Sequence, residues 1–419
     1  MPSSATASEH VGPEAAAEEA AAEEAAGPAH VATVSFLASR AVPSGGFFVA
    51  LAGGTALARV AQRRGAREGY GASIAAMLET VAIMGPARFG VPFTQGLSAP
   101  LIGRLHARGL SAFLQFLVCL AIRMLSNTVG LAFFVLVIAG GVDAYAGSYD
   151  AIAGRLGFSL SERTTLVASA VGLLVWGAFA SAVQVGVYRR GLDNWPSPVE
   201  GETSDEAPPL ELHRGRFDPR LVSISAAVAF GLLLSTTRPV LLAAVATWLG
   251  VAWALSRADS RAVPTGLVLA GLLGFASLTF ALTSGLGILE GLRRASRAVL
   301  LVLVATWLRA AAGADGLREV SRRALGKLRG LPSVRETIRV LDVIGSEGRL
   351  TAAGRSLLDT MEGVRARPAA ITDAVLTWVA AEAGRYRRGP ATEALNLRVR
   401  VIDVTLLILA AAPALTFLL

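Results

Sequence analysis

Three ionisable residues fall inside apolar stretches of the N-terminal half: Glu79 in AAMLETVAIM, Arg88 in GPARFGVPF and Arg123 in LAIRMLSN. A charge near the centre of a bilayer costs on the order of 3 kcal/mol on insertion scales, so it turns towards a partner or a polar cavity. A carboxylate and guanidinium groups placed this way can hold an ionic substrate between helices. Glu79, Arg88 and Arg123 therefore form a candidate intramembrane substrate site. A salt bridge between helices, or an arginine reaching out to the interface, satisfies the same charges without a ligand. Gln115 and Gln184 suit interhelical hydrogen bonds.

A second group of residues lies in a basic block spanning about 315–390. DGLREVSRRALGKLRGL places Leu317, Val320, Ala324, Leu328 and Leu331 at helical spacing, with Arg318, Arg322, Arg323, Lys327 and Arg329 around the rest. The periodicity resumes with Val334, Ile338, Leu341 and Ile344, then with Leu357, Leu358 and Met361. That stretch ends in EGVRARP, where Pro368 closes it. A further helical stretch ends in Arg387-Arg388-Gly389-Pro390. Both endings pair two arginines, Arg365 with Arg367 and Arg387 with Arg388, with a helix breaker. Guanidinium groups at a helix end can grip carboxylates of a partner in bidentate fashion, or simply complement the helix dipole. A basic amphipathic helix can also lie among anionic headgroups.

Motifs for soluble catalysis are missing. The sequence has no GxxxxGK[ST], no HExxH and no GxSxG; ALGKLRG has a Gly-Lys without the spaced glycine or the Ser/Thr. Its four histidines, His10, His30, His106 and His213, are scattered. The single cysteine, Cys119, excludes a disulfide framework. No cofactor, no metal and no enzymatic activity are expected, and any ATP hydrolysis must come from separate chains.

The elements that position these residues are apolar and long. Hydrophobic residues make up 53% of the chain and charged residues 17%, against about 25% charged in soluble domains. Apolar runs near 221–237, 240–256, 265–287, 298–312 and 401–419 approach the roughly 20 residues that span a bilayer. Others lie near 47–62, 70–85, 87–103, 110–126, 128–147 and 164–187, with Gly85-Pro86 marking either a turn or a kink. The net charge of +8 comes from Lys and Arg flanking these runs, which reads as a topology signal and not as a nucleic-acid surface. Residues 1–30 carry six glutamates and no Lys or Arg and are expected to be a disordered acidic tail. Residues 189–219, rich in Pro and Glu, read as a solvent-exposed linker. The expectation is an all-α, polytopic protein of the cell (inner) membrane with two helical bundles: residues 31–188 with five or six spans, a cytoplasmic linker at 189–219, and residues 220–419 carrying cytoplasmic amphipathic helices at 315–390.

Residues from about 212 to 419 resemble the transmembrane T component of energy-coupling factor transporters. Arg216-Phe217-Asp218-Pro219-Arg220 resembles the Asp-Pro-Arg signature leading into that family's first helix. GLRRASRAVLLVLVATWL, residues 291–308, resembles the helix reached through a basic amphipathic segment. LRVRVIDVTLLILAAAPALTFLL is similar to the last span, with Asp403 at its start. The resemblance implies two coupling helices whose Ala-Arg-Gly-type ends enter grooves on a pair of cytoplasmic ABC-type ATPase subunits. Arg388-Gly389 matches the second of these ends. Ala366-Arg367 matches the first, with Pro368 where glycine is expected. It further implies partner-binding roles for Arg365, Arg367, Arg387, Arg388 and Gly389, and import of a vitamin or metal ion. Residues 31–188 would then be a fused substrate-capturing bundle like that family's S component, or the chain would engage a separate one. The other reading is a non-transport membrane scaffold whose basic helices bind anionic lipid or a cytoplasmic protein.

Overall fold

Every described element of the chain is helical. The computed structural model describes residues 13–40, 46–86, 92–195, 217–235, 237–256, 263–344, 347–362, 364, 367–386 and 397–417, and holds fifteen α-helices among them. The N-terminal half contributes α1 (Pro13–Ala38), α2 (Gly46–Arg64), α3 (Ala66–Met84), α4 (Phe93–Ala107), α5 (Ala112–Phe133), α6 (Val142–Arg155) and α7 (Glu162–Asp193). A π-helical segment, Phe134–Ala139, continues α5. Next come α8 (Pro219–Ser235), α9 (Pro239–Ser256), α10 (Val263–Thr283) and α11 (Ile288–Gly326). Three amphipathic helices follow, α12 (Val334–Val343), α13 (Glu347–Glu362) and α14 (Pro368–Arg385), and then α15 (Val401–Ala411), which runs into a 3₁₀ segment, Ala412–Phe417.

Local chemistry sets many of these boundaries. Ser111 and Ser161 cap α5 and α7, accepting from the amides of Leu114 at 3.3 Å and Thr164 at 3.1 Å. Pro219, Pro239 and Pro368 open α8, α9 and α14, where a missing amide proton does no harm. Gly65, at φ 101°, turns α2 directly into α3. Gly85, at φ 81°, ends α3, so Gly85-Pro86 is a turn between helices. The apolar runs expected at 110–126 and 128–147 are divided elsewhere. Gly130 lies within one long helix, and the break falls at Gly140-Gly141, where φ is 86° and 128°.

Five helices are long and apolar enough to cross a membrane: α5 with its π segment, α7, α9, α10 and α11. They suggest a multi-pass membrane protein. Large apolar side chains such as Leu125, Val129, Val175, Trp176 and Phe275 stand exposed on three of them, the pattern of a surface facing lipid. In α11, by contrast, 78% of the apolar window is buried, against 17% in α5 and α7. It is the central helix: α8, α9 and α10 pack against it, and α15 packs in turn on α8 and α9. There Trp248 meets Trp307 edge to face at 5.2 Å and donates its indole N–H to the Leu406 carbonyl at 3.1 Å.

The amphipathic helices bury their apolar faces against the N-terminal helices. Val340, Leu341 and Ile344 of the α12 region share a core with Phe36, Leu51, Ala72 and Ala76. Leu350 and Leu357 of α13, with Val375 and Val379 of α14, share another with Val31, Val34 and Val49. Each such side chain contributes roughly 1.5–3 kcal/mol on burial, far more than surface ion pairs would. The face read from the sequence at Val334, Ile338, Leu341 and Ile344 is the buried one. The stripe read one helix earlier is not continuous, because α11 ends at Gly326 and Leu328 and Leu331 stand exposed.

Residues 13–30, expected to be disordered, belong to α1, and Ala25, Ala26, Ala29 and His30 are buried. An alanine face supplies little area per residue but permits close approach: a Cβ at Gly27 would lie 2.6 Å from the Ala383 carbonyl oxygen of α14. Residues 196–216 of the linker lie outside the described residues. α7 runs on to Asp193 and α8 begins at Pro219.

Inside α11 the backbone breaks at Gly313, where φ is 72° and ψ 167°. That region is open essentially to glycine alone, and other residues pay about 1–3 kcal/mol there. Gly313→Ala should therefore lower the thermal unfolding midpoint in detergent. Gly231→Ala, in helical α8 with open space around it, should leave the midpoint unchanged or raise it slightly.

Candidate functional site

The residues that lead into α8 form a buried ionic hub. The Asp218 carboxylate accepts from the Arg220 amide at 2.9 Å and from its guanidinium at 3.0 and 2.8 Å. The Asp218 amide donates in turn to the Asp403 carboxylate at 3.2 Å, whose other oxygen accepts from the Arg400 amide at 2.8 Å. Asp403 thus caps α15 and holds the start of α8 with the same side chain. Pro219 sits against Gly316 of α11, where an added Cβ would lie 2.7 Å from its ring. The Asp218, Pro219, Arg220 and Asp403 read from the sequence are brought together, joining three helices at one end of the C-terminal bundle.

A second cluster joins α3 to α11 just beyond the Gly313 break. Glu79 has no exposed surface, and Arg318 grips it with two nitrogens, Nε lying 2.7 Å from Oε2 and Nη2 contacting Oε1. Arg318 also reaches Asp315 at 2.9 Å. Arg309, on the other side of the break, donates to the Ile83 carbonyl at 2.7 Å and packs on Gly85, where a Cβ would lie 2.8 Å from its own. On the next helix Glu336 pairs with Arg67 at 2.8 Å. The last turns of α3 are therefore held by the segment that flanks the α11 break.

Glu79 and Arg123, the two described members of the candidate substrate triad, have different partners. Glu79 is committed to Arg318. Arg123 lies instead between α5 and α7, donating to Ser181 at 3.2 Å and to Gln184, which donates to Ser98 at 2.6 Å. Arg88 lies outside the described residues, as do Arg365, Arg387, Arg388 and Gly389 of the expected partner-binding set. Arg367 is the N-cap residue of α14 and is exposed. No cluster of three His, Cys, Asp or Glu able to hold a metal occurs among the described residues.

The sequence reading missed Arg294 and Arg297 of α11, which donate to the carbonyls of Ala139, at 2.9 Å, and Val137 in the π-helical segment. Ser277 of α10 donates to the Ile138 carbonyl at 3.0 Å. The last carbonyls of a helix have no intrahelical partner, and these three side chains fill that need where the π segment ends at Ala139. The sequence signal was the Gly140-Gly141 pair, since a Cβ on Gly140 would collide with the Arg294 guanidinium.

Comparison with known protein families, with curated proteins and with solved structures returned no match. What stands is an all-helical protein with five long apolar helices, in which one buried ionic cluster joins α3 to α11 and another joins α8 to α15.

Burial alone would push the Asp218 carboxyl pKa up, but the hydrogen bonds and charge of Arg220 outweigh it and hold it below the ordinary aspartate value. A depressed folded pKa means that the stabilisation is complete above about pH 4 and is lost as pH falls through the lower folded value. Asp218→Asn should therefore destabilise the protein by about 1–2 kcal/mol at pH 7. The gap to the parent protein should close below pH 4. Unfolding midpoints measured across that range check both halves of the expectation.

Proposed function

We propose that the chain is the membrane-embedded coupling subunit of an energy-coupling-factor-type importer for a vitamin or metal ion, resident in the cell (inner) membrane. Separate ABC-type ATPase chains hydrolyse ATP in this reading, and the Ala-Arg-Gly-like helix ends dock on them through Arg365, Arg367, Arg387, Arg388 and Gly389. The observation that carries the reading is the placement of α12–α14. Their apolar faces are committed to α1–α3, while Arg367 stays exposed at the start of α14.

A helix whose tip is held by a moving partner and whose flank is fused to a second body is a lever. Motion of the ATPases would carry α12–α14 and α1–α3 together. The Glu79–Arg318 pair would pass that motion to α11, where the Gly313 break supplies a place to bend. The Asp218–Arg220–Asp403 hub would keep α8 and α15 in register while this happens. Residues 31–188 then act as the fused substrate-side partner, or as the surface on which a separate substrate-binding subunit rests.

Charge reversal tests the docking. Arg388→Glu should release co-purifying ATPase by tenfold or more in a pull-down from mild detergent, since a reversed charge faces the partner's carboxylates. Arg367→Glu should have a smaller effect, as Pro368 follows it. Arg329→Glu, on an exposed residue outside both motifs, should retain the ATPase. Equal and mild effects at all three positions would favour an anionic-lipid scaffold, because surface charges near lipid are worth roughly 1 kcal/mol each and are interchangeable.

A further inference from the structure

A cavity of about 500 Å³ opens between α1, the C-terminal turns of α2 and α14, with Trp195 on its wall. The volume falls within the roughly 300–1,000 Å³ of small-molecule sites. Arg59, Arg63 and Arg64 come to it from α2, and Glu23 and Glu24 from α1. Glu24 is already engaged: Arg64 holds it, Nε lying 2.9 Å from Oε2, and Arg63 approaches at 3.9 Å. That leaves one cation, Arg59, and one anion, Glu23, in the same cavity on different helices, and neither makes an ion pair among the described residues.

Arg59 is oriented without being neutralised. Its guanidinium lies 5.8 Å from the Trp195 ring centroid and donates to the Gln62 side-chain oxygen at 2.5 Å, while its buried Nε has no acceptor. An added anion would give that buried donor an acceptor. Glu23, in contrast, is exposed at the rim. Two opposite charges that line one cavity and do not pair with each other complement a ligand that carries both.

We propose that this cavity binds a small zwitterionic phosphate ester, with its phosphate on Arg59 and its ammonium group on Glu23. Guanidinium geometry matches phosphate oxygens, and the Trp195 and Tyr386 rings give the connecting carbons an apolar wall. Tyr386 immediately precedes Arg387-Arg388, so an occupied cavity would tie α14 to α2 beside the expected docking motif. The ligand chemistry is that of phosphoethanolamine, free in solution or as a lipid headgroup. It goes beyond the importer reading and does not depend on it.

Calorimetric titration of the full-length protein in detergent tests this with phosphoethanolamine, inorganic phosphate and ethanolamine. Phosphoethanolamine should bind at least tenfold tighter than either single-charge probe. Arg59→Gln should weaken phosphoethanolamine at least tenfold, and Glu23→Gln should reduce it to the level of phosphate. Nanodiscs then separate the sources. Stabilisation by phosphatidylethanolamine over phosphatidylglycerol assigns the headgroup, whereas binding of the soluble probe without lipid preference assigns a free solute. Phosphate binding as tightly as phosphoethanolamine, or no binding by the soluble probe together with no lipid preference, overturns the proposal. The parent protein's own probe series decides this even if a variant fails to fold.

Discussion

A carboxylate with no exposed surface, Glu79, must find a cation, and the arrangement of the halves depends on the one it finds. Arg318 supplies it from the helix that follows the Gly313 break. Removing one partner of a buried pair costs about 3–5 kcal/mol, because the remaining charge stays buried and uncompensated. The pair therefore acts as a register pin between α3 and α11. Arg309 on the Ile83 carbonyl and Glu336 with Arg67 extend the same seam.

With that seam fixed, the other features fall into place around α11. At its N-terminal end Arg294 and Arg297 serve the carbonyls of the π-helical segment. Beyond the break Gly316 receives Pro219, whose neighbour Asp218 is bound to Arg220 and Asp403. The N-terminal half thus grips α11 at two separated levels, and the hub ties α8 and α15 to it. The amphipathic helices add apolar area to α1–α3, which is why charges at 315–390 coexist with a buried core.

Much of this was legible in the sequence where the signal is local. The 3.6-residue period gave Val334, Ile338, Leu341 and Ile344 as a buried face, and the apolar runs after residue 220 correspond to α8–α11 and α15. Asp218-Pro219-Arg220 and Asp403 stood out only through the family signature that the stretches around them resemble. Pairings across the chain carried no such signal: Glu79 and Arg318 are separated by 239 residues, and nothing beside Arg318 distinguishes it from the other arginines of its amphipathic helix. The alanine-rich stretch that became α1 was opaque for another reason. Alanine adds little to a hydropathy profile, yet its small side chain lets helices approach closely. Gly130 and Gly140 look alike in sequence, and only the backbone requirement at Gly140 and the Arg294 guanidinium against it tell them apart.

The most direct measurement is a double-mutant cycle on Glu79 and Arg318, using Glu79→Gln, Arg318→Gln and the combination, with unfolding free energies determined in one detergent at one pH. Both side chains are almost wholly buried, at 0% and 11% exposed. The account predicts that each single change is strongly destabilising and that the pair couples by about 2 kcal/mol or more. Additive effects, with a coupling near zero, would contradict it and would mean that α3 and α11 are held together by something other than this charge.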